Sequence, residues 1–219
     1  MGNLYLIPEW FFKYTIAFEL IFGLITLIVG IYALKIYKLS NQKQTKNFGI
    51  AFIFISIAYF IQAILNSILF SKLYTERIIA LSTFNLWSNI GIFLYMFFFL
   101  AGLITLVYVT FNINSFRVYS LLFLLILGSM IVTPFKLNIF HIFTSILLIY
   151  IVVHYFLNYI KNKQLKNFLV LVAFTLLLFG NIDLIFSLNN SIYYVIADII
   201  SLIAYIIILI NLILIARKK

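Results

Sequence analysis

From about residue 13 onward the chain is a succession of apolar runs, each close to the ~20 residues that cross a bilayer core, separated by short polar patches. The runs are continuous rather than alternating, which argues for spanning helices and against the period-two strands of an outer-membrane barrel. In hydrocarbon a helix also satisfies its own backbone, as an open strand cannot. The pattern predicts seven spans, at about 13–36, 47–70, 84–110, 116–133, 138–160, 167–188 and 192–215. An amphipathic lead-in from Tyr5 to Phe12 places Trp10 at headgroup level, and an interfacial stretch from Ser71 precedes the third span. Pro8 and Pro134 both fall near span ends.

Composition makes lipid the solvent: 66% of the 219 residues are hydrophobic and only 9% charged. A soluble domain carries roughly 25% charged residues. No loop is long enough for a second fold, so residues 1–219 read as a single all-α, polytopic membrane helix bundle. The start lacks a basic n-region and a small-residue cleavage site, and Leu6 stands where a myristoylation signal has Ser or Thr, so the first span is expected to be retained.

The net charge of +10 follows from orientation rather than from nucleic acid, for which no role is expected. Lys35, Lys38, Lys43, Lys46, Arg117, Lys161, Lys163, Lys166, Arg217, Lys218 and Lys219 fall on one side of the predicted spans. Lys13, Lys72, Arg77 and Lys136 fall on the other. The positive-inside rule makes the richer side cytoplasmic, with the N-terminus out, the C-terminus in, and the cell membrane as the location.

Lys43-Gln44-Thr45-Lys46-Asn47-Phe48 before the second span is echoed by Lys163-Gln164-Leu165-Lys166-Asn167-Phe168 before the sixth. Either spans one to three and five to seven are parallel repeats about a lone fourth span, or the match is chance in a chain biased to Ile, Lys, Asn and Phe.

Candidate chemistry lies where polar groups sit in the wrong solvent. Glu9 and Glu76 are interfacial, whereas Glu19, Asp183 and Asp198 lie within spans, where a carboxylate costs ~2.5–3.5 kcal/mol on insertion scales. At ~1.5 Å per residue, Glu19 and Asp198 each lie roughly 9 Å below the outer boundary. Gln62 and Asn66, Ser88 and Asn89, His141, and Asn181 approach in the same leaflet. Glu19, Gly23, Thr26 and Gly30 form one stripe on the first span, and Tyr194, Asp198, Ser201 and Tyr205 another on the seventh. The candidate ligand site is thus Glu19, Gln62, Asn66, Asn89, His141, Asn181, Asp183, Asp198 and Tyr205. The plainer reading makes these groups interhelical hydrogen bonds. His154 joins Tyr150 and Asn158 in a second stripe that reads as helix glue, and lies about 20 Å along the helix from His141, too far to share a metal. With no cysteine, no cofactor motif and no nucleophile, neither a cofactor nor an enzyme activity is expected.

In the seventh span, Asp198-Ile199-Ile200-Ser201-Leu202 resembles the microbial rhodopsins, which carry an Asp four residues before the retinal lysine. Here Leu202 takes the lysine's place, so the resemblance implies a shared bundle layout without covalent retinal. The Ile-Pro-Glu-Trp-Phe start and the Lys35-Ile36-Tyr37-Lys38-Leu39-Ser40 loop are also similar to uncharacterised small archaeal membrane proteins, which carry no function over.

Two functions compete on these grounds, and the outer-leaflet depth of the carboxylates favours the first, since carriers hold substrate near mid-membrane. One is a receptor or sensor whose outer pocket binds a small polar ligand or a proton and signals through a membrane or cytoplasmic protein partner. The other is a small proton- or cation-coupled transporter. A packing subunit of a larger membrane complex is the plainest alternative.

Overall fold

The computed structural model describes residues 8–75, 81–111, 116–132, 136–187 and 190–217. Residues 5–7 of the lead-in, Glu76 and Pro134 lie outside them. A single 3-10 turn, Glu9–Phe11, leads into α1 (Phe12–Ser40), followed by α2 (Lys43–Thr75), α3 (Leu81–Phe111), α4 (Phe116–Val132), α5 (Lys136–Asn162), α6 (Leu165–Phe186) and α7 (Ile192–Arg217). Trp10 is exposed, as a headgroup-level residue would be. From Ser71, where the apolar span ends, α2 continues helically to Thr75.

Six of the seven helices are long and apolar enough to cross a membrane, which makes this an integral membrane protein. The exception is α4, at 17 residues about 25 Å long, the lower limit for a span. It stops two residues before Pro134, whose ring disfavours helical geometry in the residue preceding it. Seven helices are thus found among the described residues, six of them long and apolar enough to cross and one, α4, a short apolar helix.

Each helix packs on its chain neighbours, and α1·α7 and α3·α5 close a six-helix ring with α4 on its outside. Leu121, Leu124 and Leu125 of α4 accordingly face outward. Around the ring, exposed positions are mostly Ile, Leu and Phe, while the interior holds Phe22, Val29, Phe52, Leu100, Ile104, Ile151, Phe174 and Tyr205. Such an inverted surface is stable only against lipid.

Small residues set the tightest seam. A Cβ on Gly30 would sit 2.8 Å from the Ile53 side chain and 3.1 Å from the Gly49 carbonyl, so α1 and α2 touch backbone to backbone. The predicted stripe Glu19, Gly23, Thr26, Gly30 is buried along this contact. Ser56 Oγ donates to the Gly23 carbonyl at 2.8 Å, joining the two helices again.

The hairpins α1–α2 and α5–α6 turn in the same way. Asn41 (φ 53°) and Lys163 (φ 44°) adopt the left-handed conformation that ends a helix. Their amides donate to Tyr37 and Tyr159 carbonyls at 2.8 and 2.7 Å. Gln42 and Gln164 then each accept from the third and fourth residues ahead. These equivalent positions are 122 apart, not the 120 of the hexapeptide match. Lys43-Gln44 lies inside α2, whereas Lys163-Gln164 forms the second turn, so the echoed hexapeptides are not structural equivalents: a two-residue slip is about 200° of helix rotation.

Candidate functional site

The end of the bundle where α1 begins (the near end) holds a cavity of about 330 Å³. Its polar wall comes from every ring helix but α3, which adds Tyr95: Glu19 from α1, Gln62 and Asn66 from α2, His141 from α5, Ser187 from α6, and Tyr194, Asp198 and Ser201 from α7. Five of the nine sequence candidates therefore meet in one space. Depth counting brought them to one level, and the ring turned them inward.

Glu19 is held first. Asn66 Nδ2 donates to its Oε1 at 2.6 Å, and Gln62 lines the same cavity. Gln62 and Asn66 both reach it because i,i+4 residues project from one helix face. Asp198 stands on α7, within Coulomb range of Glu19. Both carboxyls are deeply buried, 4% and 8% exposed. Glu19 Oε2, Asp198 Oδ2 and the Gln62 carbonyl oxygen have no hydrogen-bond partner in the protein. A buried polar atom left so costs ~1–3 kcal/mol, so three around one cavity call for a reason. Among the described residues no Lys or Arg lines the cavity to supply it.

On the α5–α6 side Asn181 is fully engaged, although Thr144 Oγ1 nearby on α5 is buried without a partner. Asn181 Nδ2 donates to the His141 carbonyl at 2.9 Å and to Ser145 Oγ at 2.7 Å, and its Oδ1 meets His141 Nδ1 at 2.9 Å. Since the amide nitrogen is spent on two acceptors, Oδ1 accepts and His141 Nδ1 carries the proton, leaving Nε2 as the ring's remaining polar atom. Asn181 thus belongs to the site through His141 rather than through the near-end cavity itself.

Tyr205 lies beneath the cavity. Its hydroxyl meets that of Tyr59 at 2.8 Å, and the Tyr59 ring packs edge-on against Phe22, Phe99 and Tyr205. Tyr59 and Tyr95 were not singled out from the sequence, where fifteen tyrosines hide them. The available signal was spacing, since Tyr59, Gln62 and Asn66 recur at i, i+3 and i+7.

Two candidates do not join. Asn89 is exposed, and Asp183 is half-buried and outside the cavity wall. Both were placed by depth alone, and a helix apolar on all sides gives no cue to rotation. In the other half of the bundle, His154 Nε2 and Asn158 Nδ2 lie 2.8 Å apart along α5, the helix-glue arrangement expected for that stripe. Among the described residues no three His, Asp or Glu side chains cluster as metal ligands, so His141, Glu19 and Asp198 share a cavity without forming a metal centre.

Below the main cavity a void of about 50 Å³ shares Tyr59, Tyr95, His141 and Ser201 with it and reaches Phe52, Thr144 and Phe174. At the far end a further cavity, about 460 Å³, is lined by Gln42, Thr45, Lys166, Asn167 and Asn211 and is also bordered by Phe174. Asn211 Oδ1 there is buried without a partner. Phe174 thus borders both the void and the far-end cavity. Phe174 stacks on Tyr155 at 5.6 Å, and Phe52 packs on Phe48 at 4.8 Å.

The chain matches no family model, no curated protein and no solved structure. Neither the rhodopsin-like nor the archaeal resemblance gains support from relatives, and the helical membrane architecture is what stands.

Proposed function

We propose that this protein is a small cation- or proton-coupled carrier of the cell membrane, with the near end outside and the N-terminus out. The carrying observation is the pair of orphaned, buried carboxyl oxygens, Glu19 Oε2 and Asp198 Oδ2, around one cavity that no Lys or Arg among the described residues lines. Two acids in that setting take up either protons or a cation, and each choice neutralises the charge that lipid penalises. Read from sequence, their shallow depth favoured a receptor pocket over a carrier. A mainly apolar void beneath the Tyr59–Tyr205 floor, which reaches Thr144, Phe52 and Phe174, supports the carrier by leaving space toward mid-membrane, where carriers hold substrate.

On this reading α4 is the seventh crossing, and spans one to three and five to seven are parallel repeats in the register of 122. Support comes from the shared turn, from Ala51-Phe52 and Ala173-Phe174 being buried at equivalent positions, and from Glu19 and His141 being equivalent cavity residues. The α1·α7 and α3·α5 contacts are the pair such symmetry requires. A receptor or sensor reading keeps one observation in its favour: the Tyr59–Tyr205 hydroxyl pair closes the floor, as a ligand pocket read through helix shifts would need.

Reconstitution into pyranine-loaded liposomes tests the carrier. An imposed cation gradient should move protons, and Glu19→Gln or Asp198→Asn should cut the rate at least about tenfold, the scale of a lost charged partner. Proton flux equal to that of empty liposomes would return the protein to the receptor reading. In intact cells, single cysteines replacing Lys72 or Lys136 should react with an impermeant thiol reagent, and those replacing Lys43 or Lys163 should not.

A further inference from the structure

The composition of the cavity wall says more than that a cation binds. A bare inorganic cation needs a shell of oxygens, six or more for calcium and octahedral geometry for magnesium. Here two carboxyls share the wall with Phe12, Phe22, Leu65, Leu69, Ile92 and Leu137, and with the rings of Tyr59, Tyr95 and Tyr194. The volume of about 330 Å³ is some eleven times a water's share of liquid, far more than a dehydrated metal ion fills. It sits at the lower end of small-molecule pockets.

We propose that the near-end cavity takes a small organic ammonium ion, whose positive head lies between Glu19 and Asp198 and whose apolar substituents pack on the aromatic and aliphatic wall. Carboxylates answer the charge, aromatic faces add cation–π attraction, and leucine and phenylalanine cover the alkyl groups that a hydrated sodium ion lacks. Exchange then balances simply: a monovalent ammonium entering an acid pair that holds its protons displaces one of them, and returning the proton releases the ammonium. Among the described residues, the titratable groups facing the pair are Tyr59 from α2, Tyr95 from α3, His141 from α5 and Tyr194 from α7, with none from α6. His141 Nδ1 is engaged with Asn181, which leaves Glu19 and Asp198 as the acids that exchange.

The inference rests on the carrier reading, and the experiment separates the two. The probe is tetraethylammonium, permanently charged and unable to cross lipid alone. Sodium and potassium chloride at equal ionic strength serve as inorganic comparators, and triethylmethanol as the uncharged analogue. With purified full-length protein, tetraethylammonium should raise the melting temperature and bind more weakly as pH falls, and the comparators should do neither. Binding should fall at least tenfold in Glu19→Gln and in Asp198→Asn. Leu137→Trp, which narrows the cavity and leaves both acids in place, should weaken binding even if an acid variant fails to fold. In proteoliposomes, an inward tetraethylammonium gradient should drive protons outward.

Sodium or potassium acting as strongly as tetraethylammonium, in binding and in flux, overturns the substrate class and leaves the carrier standing. Tetraethylammonium binding without flux for any cation overturns the carrier and leaves the ligand class. Neither binding nor flux overturns both.

Discussion

The hairpins α1–α2 and α5–α6 share a turn and a buried Ala-Phe pair, yet they bring opposite chemistry to the same cavity. Glu19 on α1 and His141 on α5 occupy equivalent positions 122 residues apart, and each is held by an amide from the following helix. On the α5–α6 side Asn181 closes its network with three bonds. On the α1–α2 side, Asn66 and Gln62 leave one carboxyl oxygen and one amide oxygen open. Asn181 is fully engaged on one hairpin while the other leaves a carboxyl oxygen open to the cavity, so polar content alone does not mark a candidate site. What marks it is polar content left unsatisfied.

The largest effect should come from exchanging the seams. The α1–α2 hairpin has Gly30 where α5 has Val152, and the α1 backbone lies against Gly49 there. Gly30→Val places methyl groups into the Gly49 carbonyl and Ile53, and should destabilise by about 3 kcal/mol, the upper range for overpacking. A melting curve in detergent reads this. Val152→Gly, on a seam without that contact, should cost clearly less.

Next come the two amides. Asn181→Ala strips partners from His141 and Ser145 and should cost about 2 kcal/mol of stability, whereas Asn66→Ala frees one bond and should cost about 1 kcal/mol. Their functional consequences should run in the opposite order, with cation-driven flux altered more by Asn66→Ala, which touches the open carboxyl. Equal effects on flux would erase the distinction between scaffold and site.

The smallest effects belong to polar residues that share the depth of the site but not its facing. Asn89→Ala and Asp183→Asn should each stay within about 0.5 kcal/mol of wild type and leave flux unchanged. They also mark the limit of what the sequence discloses. Depth was legible, because a polar residue interrupting an apolar run can be counted from the end of its span. That count found Glu19, Gln62, Asn66, His141 and Asp198. Facing was legible only where small or polar residues drew a stripe, as on α1 and α7. It was invisible for Asn89 and Asp183, whose helices offer lipid and protein the same Ile, Leu and Phe.

The hairpin register escaped for a related reason. Lys-Gln-x-Lys-Asn-Phe recurs in the letters, but one copy lies within a helix and the other begins in a turn. The two turns are instead alike at Tyr37 and Tyr159 and at Gln42 and Gln164, residues too common in this chain to stand out. Helix positions were read well because the bilayer fixes their length, and only α4, the helix outside the ring, fell short of the others.

The central claim is that Glu19 and Asp198 form one open acid pair that binds a cation, and carboxyl reactivity tests it most directly. Dicyclohexylcarbodiimide, a lipid-soluble reagent for protonated carboxyls, would be added to the protein in membranes and the modified residues identified by mass spectrometry. Labelling at Glu19 and Asp198, suppressed at both by tetraethylammonium and unaffected at Asp183, is the predicted result. Labelling at either acid that persists unchanged at saturating tetraethylammonium would contradict it.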